Sequence, residues 1–189
     1  LPALDVFMPD SLPSFEGKKG WGSLFGIDNG SGEAKIVGIE TYPDSYWHRI
    51  DFNQMTFFSH AEGSSGKLRS DHRHLDLGGF ILYYAGQPLL IDCGRLDYTQ
   101  SDASVYGYSA SSHNTLLING LSAEVDGPSW LQEPYKRVRV KTKLTESEDS
   151  VMFTINHDGF DRISNRTVAH ERRFKLKSDM FEIEDRLLG

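Results

Sequence analysis

Cysteine is almost absent from this chain: Cys93 is the only one in 189 residues. A single thiol excludes an internal disulfide framework and any cysteine-based metal centre. Because Cys93 comes directly after Asp92 in a strand-like run, the two side chains should point to opposite faces, with Cys93 as a small buried hydrophobe. Long apolar stretches are missing too. None approaches the roughly 20 residues needed to cross a bilayer, so no membrane span is expected. Positive charge is in deficit, with 20 Lys and Arg against 27 Asp and Glu and a net charge of −7. That excludes the broad basic footprint of a nucleic-acid binder. It does not exclude a polyanionic partner, since local basic patches matter more than the total. The last absence is helical periodicity: no long segment keeps apolar residues at i, i+3, i+4 and i+7.

Aromatic residues and strand-like alternation are plentiful. Aromatics make up 12% and apolar residues 38% of the chain, the composition of a globular protein. Residues 1–53 are rich in Gly, Pro, Ser and Asp and read as a loop-rich lead-in with short strands such as Ala34–Ile39, packing onto the sandwich. Residues 54–189 read as the main domain. Strands are expected at Met55–Ser59, Gly79–Tyr84, Pro88–Cys93, Asn114–Asn119, Arg137–Leu144, Val151–His157, Val168–Leu176 and Met180–Arg186. The fold class is therefore all-β, an antiparallel β-sandwich. Ala85-Gly86-Gln87-Pro88 and Lys177-Ser178-Asp179 mark two hairpins. The first pair is apolar on both faces and should be central, covered on each side. Arg137, Arg139, Lys141 and Lys143, with Arg172, Arg173, Lys175 and Lys177, form basic stripes of the kind found on the wet face of a strand. The chain starts at Leu1-Pro2-Ala3 without an initiator Met or a basic leader, and it stops just after an alternating strand. Both ends read as cuts, so the last strands of the sandwich are expected to be truncated.

Three histidines and up to three carboxylates occupy a short part of this framework, in Asp71-His72-Arg73-His74-Leu75-Asp76, Leu90-Ile91-Asp92-Cys93-Gly94 and Ser112-His113-Asn114-Thr115. Imidazole and carboxylate together suit zinc, which takes three such ligands plus water, or four without it. On an extended segment His72, His74 and Asp76 project to one side. Register counted from the Ala85-Gly86 turn sets Asp92 opposite Phe80 or Ile81, so the chain must fold back near Gly78-Gly79 for His74 to approach. His113 would arrive from the next strand. Spacing alone leaves hydrogen-bonded histidines at strand ends as the competing assignment.

The ordered set His72-Arg73-His74-Leu75-Asp76, Gly78-Gly79-Phe80, Gly86-Gln87-Pro88-Leu89-Leu90-Ile91-Asp92-Cys93-Gly94, Tyr98 and His113-Asn114-Thr115 resembles the heparinase II/III-like polysaccharide lyases, most densely over residues 70–120. His72-x-His74-x-Asp76 also matches the start of the metallo-β-lactamase signature, but Leu77 stands where that family has histidine. A cupin-like metalloenzyme would need a further Glu and His, with Glu124 the only nearby candidate. The lyase resemblance implies a C-terminal, supersandwich-like β-sandwich whose partner, an N-terminal (α/α) toroid of the same protein, is absent from this chain. It implies Zn2+, mainly architectural, held by His74, Asp92 and His113. His72 would face the substrate cleft, and Tyr98, Tyr106 or Tyr108 would supply a phenol, with Tyr98 carried over from the family pattern. Asp76 would orient a ligand histidine or cap the turn. The implied substrate is an acidic, uronate-containing polysaccharide, and the implied compartment is bacterial periplasm or the exterior. A non-catalytic carbohydrate-binding or structural sandwich is the alternative.

Overall fold

Alternating apolar and polar side chains build two antiparallel sheets in the computed structural model, which describes residues 37–63, 74–95, 97, 99, 101–124, 138–163 and 167–189. The first sheet runs β1 (Val37–Tyr42), β2 (Trp47–Phe52), β3 (Met55–His60), β4 (Phe80–Tyr84) and β5 (Gln87–Leu90), in that spatial order. The second runs β6 (Val140–Glu146), β7 (Ser150–His157), β8 (Ala169–Lys177) and β9 (Met180–Leu188). Every neighbour is an antiparallel partner adjacent in the chain, so each sheet is a meander. The all-β sandwich expected from the sequence is what forms.

The sheets meet through one core. Ile50, Phe52, Met55, Phe57, Phe80 and Leu82 come from the first, and Val151, Phe153, Ile155, Phe174 and Leu176 from the second. On β7 and β8 the buried positions recur every second residue, as a half-buried strand requires. That inner face changes character along its length. Leu176 and Phe174 give way to Arg172 and His170, and Val151, Phe153 and Ile155 give way to His157, all of them buried. A smaller cluster of Leu77, Ala123, Val138 and Phe160 continues from the polar end.

Several local expectations are corrected. Trp47–Phe52, within the expected lead-in, is a full strand whose Ile50 and Phe52 enter the core. Its interspersed His48, Arg49 and Asp51 mask the alternation. The β4–β5 hairpin closes at Ala85-Gly86, both with positive φ (49° and 74°), the twist that two-residue hairpin turns favour. Yet β5 is an edge strand with all four residues exposed, Pro88 included, which lacks the N–H a central position needs. Apolar composition suggests a covered pair; edge position decides otherwise. Asn114–Asn119 is not a strand, and only the isolated bridge Ile118–Leu121 forms there. A short helix, α1 (Asp102–Tyr108), precedes it, capped by the Ser101 hydroxyl accepting from the Ser104 N–H. Cys93 is exposed, its thiol against the Ser112 carbonyl. Arg172 lies on the inner face, not on the wet one assigned to its stripe. No helix among the described residues is long and apolar enough to cross a membrane.

Candidate functional site

Three segments converge at the polar end of the sandwich. The first is the turn before β4, where the Gly79 N–H donates to the Asp76 carbonyl at 2.6 Å and Gly78 sits at φ +75°. The left-handed conformation at Gly78 is what the fold-back requires. The second is the stretch leaving β5, where Asp92 accepts from the Gly94 N–H at 2.8 Å. The third continues from α1 through a 3-10 turn, Ala110–Ser112, to His113.

Asn114 joins them. Its side-chain amide donates to the Phe80 carbonyl and to the Ile91 carbonyl, both at 2.9 Å. Thr115 donates to the Leu77 carbonyl, and the Leu75 N–H donates to the Tyr108 carbonyl at 3.1 Å. Replacing Asn114 by Ala strips a donor from two carbonyls at once, at a cost of about 2 kcal/mol. A urea titration should show that loss as a lower midpoint with an unchanged slope.

The side chains that meet are His74, Asp92 and His113. His113 Nδ1 lies 2.9 and 2.8 Å from the two Asp92 oxygens. The His74 ring is stacked on His113, with centroids 5.1 Å apart. Burial pushes His113 toward the neutral form. The Asp92 hydrogen bond and charge, with Asp76 behind them, more than reverse this, so the ring holds its proton more firmly than an ordinary histidine. His74 goes the other way: burial lowers its proton affinity despite Asp76, leaving a neutral imidazole with a lone pair. The Nε2 atom of His113 is buried and lacks a hydrogen-bond partner. Among the described residues, no three His, Cys, Asp or Glu side chains form a group that could hold a metal ion as they stand.

Asp76 turns toward a histidine that sequence reasoning missed. His60, at the end of β3, places Nδ1 3.4 Å from Asp76 and stacks on Trp47 with centroids 5.0 Å apart. Burial would raise the Asp76 carboxyl, but the His60 hydrogen bond and the nearby histidines hold it below the usual range. Burial likewise opposes protonation of His60; Asp76, Glu62 and Glu124 outweigh it and raise its proton affinity. No local pattern pairs residues sixteen apart, so the sequence carries no signal for this contact.

Of the three tyrosines weighed for a cleft phenol, Tyr108 stands edge-on to His74, with centroids 6.4 Å apart, beneath the Arg95 guanidinium. Tyr106 is exposed, its hydroxyl against the Ser111 carbonyl. His72 and Tyr98 lie outside the described residues. A cavity of about 280 Å³ adjoins the site through Leu75, with Ser109, Ser111, Glu124 and Arg162 in its wall. Of the first basic stripe, Lys141 and Lys143 on β6 are exposed and Arg139, just before it, is paired to Asp158, while Arg137 lies outside the described residues.

A search of curated proteins found no match to the chain. Residues 38–189, covering both sheets and all three converging segments, match the family model described as heparinase II/III-like, C-terminal, and the chain belongs to that family.

Proposed function

We propose that this chain is the metal-binding β-sandwich module of a polysaccharide lyase that cleaves uronic-acid-containing glycans by β-elimination. The observation that carries this is the meeting of His74, Asp92 and His113, from three separate segments, in a chain of this family. The donor set is two imidazoles and a carboxylate, which suits Zn2+. His74 is held neutral, as a ligand must be. Binding requires the proton shared by His113 and Asp92 to be exchanged for the cation. His74, Asp92 and His113 would hold zinc, which would supply a fixed positive charge tying their three segments together.

In the reaction a base removes the proton α to the uronate carboxylate, and the glycosidic oxygen at C4 leaves with a proton. That carbon acid is weak, so the site must neutralise the carboxylate and stabilise the enolate-like charge. The base and acid need tuned proton affinities. By resemblance to the family, the chain's own contribution is His72 facing the cleft and a phenol, with Tyr98 the residue that matches the family pattern and Tyr108 the one that stands against His74. The remaining groups are assigned to the helical toroid of the same protein, acting in the periplasm or outside the cell. The cavity beside Leu75, near the lower size limit of ligand pockets, offers room for one sugar unit.

Elemental analysis tests this directly. The purified chain should carry one zinc, and His74→Ala should lose it while keeping its circular dichroism spectrum. Chelation should lower the melting temperature of the parent chain and leave that of His74→Ala unmoved. Incubated alone with heparin, heparan sulfate or alginate oligosaccharides, the chain should form no unsaturated, ultraviolet-absorbing product. Such product from the chain alone would overturn the division of labour, and a metal-free parent chain would overturn the zinc assignment.

A further inference from the structure

A second polar cluster lies under the first, on the inner face of β7, β8 and β9, and its hydrogen bonds run in one direction. The Gly159 N–H donates to His157 Nδ1 at 3.2 Å, so that nitrogen carries no proton. The His157 proton is therefore on Nε2, which donates to His170 Nδ1 at 2.8 Å. His170 in turn donates from Nε2 to Asp185 Oδ1 at 2.7 Å. Arg172 grips the same carboxylate bidentately, from Nε to Oδ1 at 2.7 Å and from Nη2 to Oδ2 at 2.9 Å. One guanidinium nitrogen remains. Nη1 donates to the Gly78 carbonyl at 3.0 Å and to the Asn114 carbonyl at 2.7 Å.

Those two carbonyls belong to the segments that carry His74 and His113. We infer that Arg172, aimed by Asp185, is a positioning residue that holds the Asp76–Gly79 turn and the His113–Asn114 segment at a fixed separation and so sets the geometry of the cation site. The inference rests on the proposed function for its metal, but the clamp itself is visible without one. Arg172 is buried and Asp185 only partly so, and such an ion pair is a poor device for stability, because desolvation of the guanidinium offsets much of the attraction. The inner-face neighbours of Arg172 are His170 and Phe174 on β8, with Ile155 opposite it on β7, so packing alone does not call for a guanidinium at 172. A bidentate fork with one nitrogen left over meets a geometric need that an apolar side chain cannot.

The test compares the parent chain with Arg172→Met and with the double variant Arg172→Met, Asp185→Asn, which keeps an acceptor for His170. Removing Arg172 alone leaves the Asp185 carboxylate charged, with only His170 and water as partners; the second change removes that charge and keeps an oxygen to accept from His170, so the double variant should recover part of the melting temperature. Amide hydrogen exchange on metal-free protein reads the clamp. At Leu75 and Gly78 it should accelerate at least about tenfold in both variants, while amides of β7 and β8 stay protected. Zinc affinity, measured by competition with a chromophoric chelator, should fall about 10- to 100-fold in both, the range typical of groups that orient metal ligands. A role in stability alone predicts that exchange and affinity return with the melting temperature in the double variant, and that result overturns the inference. If Arg172→Met does not fold, the double variant decides. If the parent chain binds no zinc, the metal assignment fails, and the exchange measurement still decides whether Arg172 is a clamp.

Discussion

Phe57→Ala should destabilise the protein by about 3–5 kcal/mol, a large share of the total stability of a domain this size. Phe57 is fully buried on β3 of the first sheet. Its ring touches Phe80 on its own sheet at 6.1 Å and crosses the interface to Phe174 at 4.8 Å, Phe181 at 5.7 Å and Phe153 at 6.3 Å. Truncation leaves a cavity that strands of two hydrogen-bonded sheets cannot collapse to fill, so the loss combines transfer and cavity terms. Phe58, the next residue, packs at the other face against Tyr83 and is only partly buried. Phe58→Ala should cost about 1 kcal/mol, in proportion to the smaller area removed from water. Urea unfolding of the two variants checks both figures. Equal losses at positions 57 and 58 would mean that Phe57 does not join the sheets as described.

Acid should unfold the protein through His157. Burial pushes this imidazole down to about 3 from the ordinary 6.5, with the charges of His170 and Arg172 adding to the effect and those of Asp158 and Asp185 opposing it. A depressed histidine is neutral in the fold and protonated in the unfolded chain. Its contribution is therefore complete above pH 6.5 and is lost as the pH falls through the window from 6.5 to 3. At pH 4 the loss amounts to about 3 kcal/mol. Asp185 extends it. Burial alone would raise that carboxyl, but the hydrogen bonds from Arg172 and His170 hold it well below its usual range, so further stability goes as the pH drops below 3.8. His60 and His113 have raised proton affinities and act in the opposite sense, their contribution present below 6.5 and lost as the pH rises. The His157 term is isolated by difference. His157→Gln cannot titrate, and its ε-amide reproduces the donation to His170. The stability gap between parent and variant should shrink by about 3 kcal/mol between pH 7 and pH 4. A gap that is constant with pH would show that His157 is not buried as a neutral ring.

The two clusters illustrate how far local sequence reaches. His74, Asp92 and His113 are legible as a set because each lies beside an apolar run and the combination resembles a known family. Their meeting point is not, since it depends on the positive φ at Gly78 and on Asn114 spanning the carbonyls of Phe80 and Ile91. Arg172 is misread from sequence for a related reason. Three basic neighbours at 173, 175 and 177 suggest one solvated stripe, but strand parity puts 172 with Phe174 and Leu176 on the inner face.

Local sequence supplies the material of the fold: alternation with period two, glycine-bearing turns and too little helical periodicity, all of which act over neighbouring residues and lead to antiparallel sheets. Long-range packing alone settles which edge β5 occupies, that His60 faces Asp76, and that one arginine on β8 reaches the carbonyls of Gly78 and Asn114. Contacts between residues tens of positions apart are set by register, twist and the packing of one sheet on the other. None of these is written in the spacing of any single segment.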